Sequence, residues 1–479
     1  MKGILCAGLF VSAFIGCAQA ADLAAATAPE LPPAAPSCWG GVQDFLTSSI
    51  KDCPLSYAGF TLFGNIDGGY GYSQWGVPVG QSADKPNYAI QKNSANSHWL
   101  WAPNAISTSV VGIAMQEKLF DDWTLIGVAE AGFNPHTLML VNGPRSLADN
   151  NLKAIGYQTS GFNSSRAGQW DNSQGFIGFS NPTYGTLTFG RSNALSASAL
   201  GKYDPVASVA FSQIGFSSIY SGFGVSPTTR INSALTYRLT YHHFHIAAQA
   251  QIGGYDQGNA TTGQYQIQLG ADFDHLSFDA VAGFARNAVA LSSYSGGALP
   301  PGYDPNSILK ATLSNSGGFE LMARYTWGAF KFYGGYVYAR SENPSDAYAN
   351  GLPTIAQGIF VPPGAVTSNA YDVARVLNTV WTGVRYAALN NLDLSAGAYW
   401  ETQNDYLPSS SVCTGSGSAT SSGKCAGGRF SYSFLLDYKP LNRIDLYAGV
   451  MVSNVYGGVA SGYLHTRNID PTVGVRFRF

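Results

Sequence analysis

Histidine side chains are the first candidates for chemistry in this sequence of 479 residues. His242, His243 and His245 stand close together, and imidazole nitrogens are common metal ligands. No cysteine and no pair of carboxylates lies beside them in the sequence, so a hydrated turn is the favoured interpretation. The sequence therefore predicts neither a metal ion nor a cofactor.

The other histidines and a glycine-rich stretch do not indicate catalysis. A hydrolase needs a nucleophile or an acid pair together with an orienting histidine. His98, His136, His275 and His465 have no convincing partner of that kind. Residues 68–71 (GGYG) lack the strand–turn–helix context of a phosphate-binding loop. The chain is therefore predicted not to be an enzyme.

Four of the six cysteines form two local pairs at opposite ends of the chain. An even number of cysteines in an exported chain favours disulfides, because the periplasm is oxidising. Zinc is the alternative, but it would require four ligands that converge on one point. We predict two disulfides, Cys38 with Cys53 and Cys413 with Cys425.

The first twenty residues have the composition of an export signal. Lys2 is followed by an apolar run over residues 4–15 and by a small-residue cleavage site at residues 18–20. Lipoprotein processing before Cys17 is the alternative, although the residues before it match a lipobox poorly. We predict three parts. They are a signal peptide (1–20), a periplasmic Ala/Pro-rich linker with a short cysteine-closed segment (21–58), and a membrane domain (59–479).

The composition is unusual for a water-soluble protein of this length. Charged residues make up 11% of the chain, against about 25% in typical soluble domains. Aromatic residues make up 13%, and there are 56 glycines. After the signal, no run of about 18 apolar residues could form a membrane helix. Low charge with many aromatics instead suits a barrel that faces lipid on one side and water on the other. A formal net charge of −2 gives no reason to expect nucleic acid as a partner.

Period-two alternation of apolar and polar residues recurs from residue 59 to the end of the chain. Tyr265, Ile267 and Leu269, for example, alternate with glutamines. A β-sandwich would also alternate, but aromatic residues gather at the strand ends, as interfacial girdles require. The pattern predicts sixteen strands, at 59–66, 107–116, 123–133, 174–180, 185–191, 232–240, 244–252, 264–273, 276–286, 319–327, 330–340, 380–387, 391–400, 429–438, 443–452 and 472–479.

Short and long connections alternate between these strands, which is typical of an up-and-down membrane barrel. Backbone groups in hydrocarbon must be paired within the protein, so a sheet that spans the membrane has to close on itself. A closed antiparallel barrel of sixteen strands is too wide for its walls to meet. Polar residues on the inner face would then line water.

Several segments resemble the general diffusion porins of Gram-negative bacteria. Residues 184–191 (YGTLTFGR) are similar to a strand of that family that ends in Gly-Arg, and residues 60–67 (FTLFGNID) resemble its first strand. Phe479 resembles the aromatic C-terminus by which such barrels are recognised for assembly. The cysteine pairs depart from the best-known members and suggest a divergent, alphaproteobacterial branch. The resemblance implies an outer-membrane, homotrimeric channel for small hydrophilic solutes and ions, in contact with lipid and lipopolysaccharide.

In that family the third external loop folds into the barrel and faces a cluster of wall arginines. Here the loop corresponds to residues 192–231. The resemblance implies pore-constriction roles for Arg191 and Arg230, more weakly for Arg166 and Arg238, and for Lys202 and Asp204 on the loop. Asp204 is the only carboxylate in the loop, which favours weak selectivity with an anion preference.

Simpler roles are also open for these residues. Arg191 and Arg230 could be loop-edge residues that contact water or lipopolysaccharide, and Asp204 before Pro205 could initiate a turn. A barrel enzyme and an adhesive barrel are distant alternatives for the whole chain. A channel specific for sugars or organic acids is closer, because Tyr333, Trp381 and Tyr399 are predicted to face the lumen.

Overall fold

A computed structural model describes most of the chain from residue 40 to the C-terminus. The described residues are 40–74, 97–103, 105–136, 138, 173–207, 210–214, 230–252, 263–293, 301–302, 309–345, 355–356, 359–360, 364–407, 423–460 and 465–479. The predicted signal peptide and the first half of the predicted segment 21–58 lie outside this range.

Sixteen long strands form the body of the protein, and each of them corresponds to one strand predicted from the sequence. They are β1 (Phe60–Ser73), β2 (Val110–Lys118), β3 (Thr124–Gly132), β4 (Gly175–Asn181), β5 (Gly185–Asn193), β6 (Arg230–Tyr241), β7 (Phe244–Gln251), β8 (Gly263–Asp272), β9 (Leu276–Ser293), β10 (Leu309–Trp327), β11 (Phe330–Glu342), β12 (Arg375–Leu389), β13 (Leu392–Gln403), β14 (Gly427–Leu441), β15 (Ile444–Gly457) and β16 (Arg467–Arg478).

Every strand pairs antiparallel with its neighbours in sequence order. The last strand, β16, pairs with β1 from Asn65 opposite Arg478 to Gly71 opposite Thr472, and this closes the sheet. Closure leaves no free edge along the sixteen strands, so their backbone groups are paired within the sheet. The predicted closed, sixteen-stranded antiparallel barrel is confirmed.

The two faces of each strand differ in chemistry as the alternation predicts. On β8, Ile267 and Leu269 are each 53% exposed on the outer face, whereas Gln266 and Gln268 lie on the opposite face and are 4% and 8% exposed. Below, the face that carries such glutamine, serine and charged residues is called the polar face. Within the described residues, no helix is both long and apolar enough to cross a membrane.

Several strands are longer than predicted at the ends away from the short turns. β9 continues to Ser293 and β10 begins at Leu309, whereas the alternation predicts 276–286 and 319–327. The two strands stay paired through this extension, from Ala288 opposite Ser314 to Ser293 opposite Leu309. Beyond the hydrocarbon layer neither face has to be apolar, so pairing continues after the alternation has stopped.

Short strands and helices supplement the barrel. Leu55–Tyr57 and His98–Pro103 each pair with β1, and Val366–Thr367 runs parallel to β10. Ile355–Ala356 and Ile359–Phe360 form a separate small hairpin. Helix α1 (Val42–Thr47) precedes the barrel, helix α2 (Leu195–Tyr203) follows β5, and a short 3-10 helix (Gly458–Ala460) follows β15.

The segment around α1 is held against the end of the barrel that carries the short turns. Arg443 lies in the turn between β14 and β15, and its side chain is completely buried. Its guanidinium donates hydrogen bonds to the carbonyl oxygens of Phe45 (2.7 Å), Ser49 (3.4 Å) and Cys53 (2.7 Å). It also lies 4.0 Å from the centroid of the Phe45 ring, within the range of a cation–π interaction.

We expect Arg443→Met to detach residues 40–53 while the barrel stays folded. Methionine fills a similar volume but donates no hydrogen bond, and each bond from a charged donor contributes about 1.5–3 kcal/mol. Limited trypsin digestion followed by mass spectrometry should show cleavage after Lys51 at least about tenfold faster than in wild type. Arg340→Met is the matched control, because that guanidinium pairs with Glu342 (2.8 Å) at an exposed site. Unchanged cleavage at Lys51 would contradict the prediction.

Cys53 and Cys425 are each disulfide-bonded. Both side chains are buried. Cys38 and Cys413, with which the sequence pairs them, lie outside the described residues, so this pairing stays a prediction.

Candidate functional site

A buried segment after β5 lies against the polar faces of distant strands. It comprises residues 194–207 and 210–214 and is called the docked segment below. It begins with α2, whose sequence (LSASALGKY) consists mostly of helix-compatible residues. The helix ends at Tyr203 because Pro205 disfavours helical geometry at the residue before it, and Asp204 is extended, with φ −96° and ψ 128°.

An apolar core holds the docked segment against the barrel wall. Leu200, Phe211 and Ile214 are almost fully buried, and they belong to one cluster with wall residues such as Met322 and Val337. Those wall residues occupy the polar face, where charged or amide side chains would otherwise be expected. The apolar side chains are therefore placed where the segment covers them, which removes their surface from water.

Asp279 on β9 connects α2 to the wall. Its side chain is fully buried and accepts hydrogen bonds from Lys202 Nζ (3.1 Å) and Tyr203 Oη (2.5 Å) of the helix. Gln268 Nε2 donates to it at 2.8 Å, and His245 Nε2 lies 2.6 Å from the same carboxylate. Burial and the neighbouring Asp279 charge raise the pKa of Tyr203, so the phenol keeps the proton that it donates. One carboxylate thus joins two wall strands, β7 and β8, to the docked segment.

Two aromatic side chains anchor the residues that follow α2. The indole nitrogen of Trp381 on β12 donates to the carbonyl oxygen of Tyr203 (3.0 Å). The hydroxyl of Tyr399 on β13 donates to the Asp204 carboxylate (2.6 Å). Gly383, next along the polar face of β12, has no side chain because a Cβ there would overlap Pro205.

The far end of the docked segment reaches strands β14 and β15. Ser431 Oγ donates to Gln213 Oε1 (2.6 Å), and Ser433 Oγ donates to the carbonyl oxygen of Phe211. The Phe211 ring packs against the Tyr447 ring with centroids 6.5 Å apart. The docked segment therefore lies across part of the polar face from β7 to β15.

Comparison with known proteins assigns this architecture to a family. The family profile described as Gram-negative porin matches residues 12–455, which is most of the chain. The chain belongs to the Gram-negative porins. As such it is a channel protein of the outer membrane through which solutes diffuse, and not an enzyme.

Solved structures agree with the fold of this porin. An anion-selective porin from Comamonas acidovorans is 13% identical with a TM-score of 0.53, over 88% of this chain and 99% of that one. A loop L8 deletion mutant of OmpT, an outer membrane protein of Vibrio cholerae, gives the same identity, coverage and TM-score. A trimer form of OmpT is 12% identical with a TM-score of 0.52, over 88% and 99% of the two chains. No curated protein matches the sequence. The alphaproteobacterial branch stays a prediction.

Arg191 and Arg230 lie together near one end of the β5–β6 pair of the porin. Arg230 pairs with Asn193 across the two strands. Arg191 Nε donates to the carbonyl oxygen of Ser173 (3.0 Å), and its terminal nitrogen donates to the Asn232 side chain. These contacts hold the Arg191 guanidinium in place at the start of the loop.

Of the other predicted constriction residues, those that the structure describes are not brought to Arg191 and Arg230. Arg238 lies opposite Thr186 at the other end of the same strand pair, and Arg166 is outside the described residues. Lys202 pairs with Asp272 (2.7 Å) as well as with Asp279, and Asp204 is 1% exposed in its contact with Tyr399. Both loop charges thus bind the docked segment to the wall.

The sequence did not predict the anchoring roles of these wall residues: Trp381 and Tyr399 were named only as lumen-facing aromatics, and Asp279 was not named. Asp279, Trp381 and Tyr399 look like ordinary members of a polar face until the segment that contacts them is known. A usable signal was present, because Val281, Met322 and Val337 interrupt that face with apolar side chains. A cluster of apolar residues on the polar faces of neighbouring strands indicates that another part of the chain covers them.

The aromatic and histidine candidates also have packing roles in this porin. Tyr333, Trp381 and Tyr399 are 6%, 2% and 1% exposed, so they offer little surface to a passing sugar. His245 contacts Asp279, and His243 contacts a backbone oxygen of Asp272. Across the described residues, no group of three or more His, Cys, Asp or Glu side chains is placed to hold a metal ion.

Proposed function

We propose that this porin passes small hydrophilic solutes and ions through an opening between the docked segment and strands β2 to β6. The observation that supports this is the continuous anchoring of the docked segment from Asp279 on β9 to Ser431 on β14. A segment held at so many points can narrow a pore without closing it. The wall there carries Arg191 and Arg230. We propose the partly exposed Arg191 as the cation that permeating ions meet, and we propose that Arg230, which is 6% exposed, adds to the positive field from a buried position.

For Lys202 and Asp204 we propose anchoring roles in place of charges presented to ions. Their contacts with Asp279, Asp272 and Tyr399 support this assignment. With the loop carboxylate engaged, the remaining wall cations would favour anions weakly. We propose Arg166 and Arg238 as secondary contributors to the same positive electrostatic field.

Liposome swelling tests the proposal of passive diffusion. We expect uptake of uncharged sugars to fall steadily with solute size, and planar-bilayer conductance to rise in proportion to salt concentration. Saturable uptake of a single solute would instead favour a substrate-specific channel, for which the buried Tyr333, Trp381 and Tyr399 give no support. Preparations that pass no ions would contradict the proposal entirely.

We further propose that the porin is a homotrimer embedded in outer-membrane lipid and lipopolysaccharide. Family membership and the trimer form of the structurally similar OmpT support this assembly. The exposed apolar outer face of the barrel, which includes Phe434 at 65% exposure, fits contact with lipid or with a neighbouring subunit. We also propose the export signal over residues 1–20, the boundary between residues 58 and 59, and the disulfides Cys38–Cys53 and Cys413–Cys425.

A further inference from the structure

Three cationic side chains share the polar faces of three neighbouring strands. Arg324 lies on β10, Lys331 on β11 and Arg385 on β12. Lys331 and Arg385 are directly opposite each other in the β11–β12 pairing. Arg324 is opposite Tyr333, two residues along β11 from Lys331, so it is a diagonal neighbour of the lysine. Such positions bring side chains to within about 5–8 Å of each other at Cβ.

None of the three cations forms an ion pair within the described part of the chain. Arg324 donates to Ser277 Oγ (3.3 Å), and a terminal nitrogen of Arg385 donates to the carbonyl oxygen of Pro205 (3.1 Å). The Nε atom of Arg385 is buried and has no hydrogen-bond partner among the described residues. Like charges placed opposite each other destabilise a sheet, so this arrangement is unfavourable unless an anion joins it.

Nearby carboxylates are already engaged by another cation. Asp393 is close enough to influence Lys331 electrostatically, but its carboxylate pairs with Lys439 (3.1 Å). Asp437, opposite Asp393 on β14, contacts the same lysine (3.6 Å). These two carboxylates share one lysine, so they offset about one of the three positive charges, and an excess of positive charge remains at Arg324, Lys331 and Arg385.

The three cations lie beside the docked segment, on the side of the short turns. Arg385 contacts Pro205, and Lys331 is close to the two-residue turn at Gly328 and Ala329. Lys331 is exposed, so a solute in the pore can reach it. Two planar guanidinium groups and one ammonium suit an oxyanion, because guanidinium groups bind carboxylate and phosphate oxygens through paired N–H donors.

We propose that Arg324, Lys331 and Arg385 form a binding subsite for the oxyanion group of a small solute, a phosphate or a carboxylate. The subsite lies on strands β10 to β12, away from Arg191 and Arg230. It rests on the proposed pore, since a solute must reach it through the opening beside the docked segment. An anion held there would enter the periplasm next, so the subsite would favour the passage of small anionic solutes.

Phosphate and succinate are the probes for this subsite. In planar bilayers with potassium chloride, either anion added on the short-turn side should reduce chloride current saturably. Calorimetry on the detergent-solubilised porin should detect binding of the same anion. In Lys331→Gln/Arg385→Gln we expect the apparent affinity to fall by about tenfold or more, and the reversal potential in a salt gradient to move toward cation preference. Comparing the two probes decides between phosphate and carboxylate.

Arg340→Gln is the matched control, since it removes one positive charge from the exposed end of β11. It should leave block and binding unchanged, and Lys331→Arg should retain both. The proposed subsite is wrong if the anion blocks the double variant as strongly as wild type. It is also wrong if Arg340→Gln loses as much affinity for the anion as the double variant does. If wild type conducts but neither anion blocks or binds, the subsite is wrong and the pore stands. If phosphate binds through these residues but no ions pass, the subsite stands and the proposed function fails.

Discussion

Tyr399→Phe is expected to make the open pore noisier and easier to close by voltage, with little change in the thermal stability of the barrel. The lost hydroxyl is the donor to the Asp204 carboxylate at 2.6 Å, and both side chains are 1% exposed. A buried carboxylate that loses such a donor is destabilised by about 1–3 kcal/mol or more. The pairing of β13 with its neighbouring strands does not depend on this hydroxyl, so the substitution destabilises the docked segment and not the barrel.

A destabilisation of this size changes the population of undocked segment by about tenfold or more. In wild type that population is kept low by the apolar core and the other anchors. The double variant Tyr399→Phe/Asp204→Asn should destabilise the docked segment by less than the sum of the two single variants, because both changes act on one hydrogen bond. A double-mutant cycle on the closing voltage measures that coupling directly.

Single-channel recording at high bandwidth is the measurement, and Tyr432→Phe is the matched control. Tyr432 lies on the adjacent strand β14 but on the outer face, where it is 40% exposed. Its hydroxyl does not contact the docked segment, so its removal should leave current noise unchanged. Equal noise in the two variants would show that the Tyr399–Asp204 contact does not hold the segment.

The sixteen strands could be predicted because lipid and water select opposite chemistry at alternate positions. Ile267 and Leu269 face outward while Gln266 and Gln268 face the other way, and a shift of one residue would exchange the two sets. The same rule explains where prediction stopped. Between Asn287 and Ser316, on β9 and β10, alanine, serine and asparagine are mixed with valine and leucine without a clear alternation, so the sequence of the paired extension did not indicate strands.

The site was harder to predict than the barrel, since its contacts join residues distant in sequence. Asp279 meets Lys202, and Tyr399 meets Asp204, only after the barrel has closed and the loop has folded back. The resemblance to porins drew attention to the loop after β5 and implied pore-constriction roles for Lys202 and Asp204, whose contacts in the structure are with the wall. The position of a residue along its strand also decides whether it can belong to the site. Arg238 is on the same strand as Arg230, yet it lies toward the opposite end of the β5–β6 pairing.

The second large effect is expected for Asp279→Asn, which should both loosen α2 and lower the temperature at which the barrel unfolds. The wild-type carboxylate accepts from four side chains on two oxygen atoms while its own side chain is completely buried. An asparagine has the same shape but only one acceptor oxygen, and its amide nitrogen faces existing donors. Lys202 and Tyr203 would then compete with His245 and Gln268 for one atom.

Removing one member of a buried charged network costs about 3–5 kcal/mol, because the remaining charge is left without compensation. Asp272→Asn is the matched control: it removes a carboxylate from the same Lys202, at 2.7 Å, but that carboxylate is 48% exposed. Exposed ion pairs contribute about 1 kcal/mol or less. The two variants lose the same charge near the same ammonium, so any difference between them reports burial and hydrogen bonding.

The folded and the heat-unfolded barrel migrate differently in gel electrophoresis, so samples heated to a series of temperatures give the unfolding temperature of each variant. Planar-bilayer recording gives the conductance. Asp279→Asn should unfold at a clearly lower temperature than Asp272→Asn and should show a larger, more variable conductance. If the two variants behave alike, Lys202 is held by simple charge attraction and the buried carboxylate is not the main anchor of α2. If Asp279→Asn unfolds earlier but conducts as wild type does, Asp279 stabilises the wall strands and the docked segment is held by Trp381, Tyr399 and the apolar core.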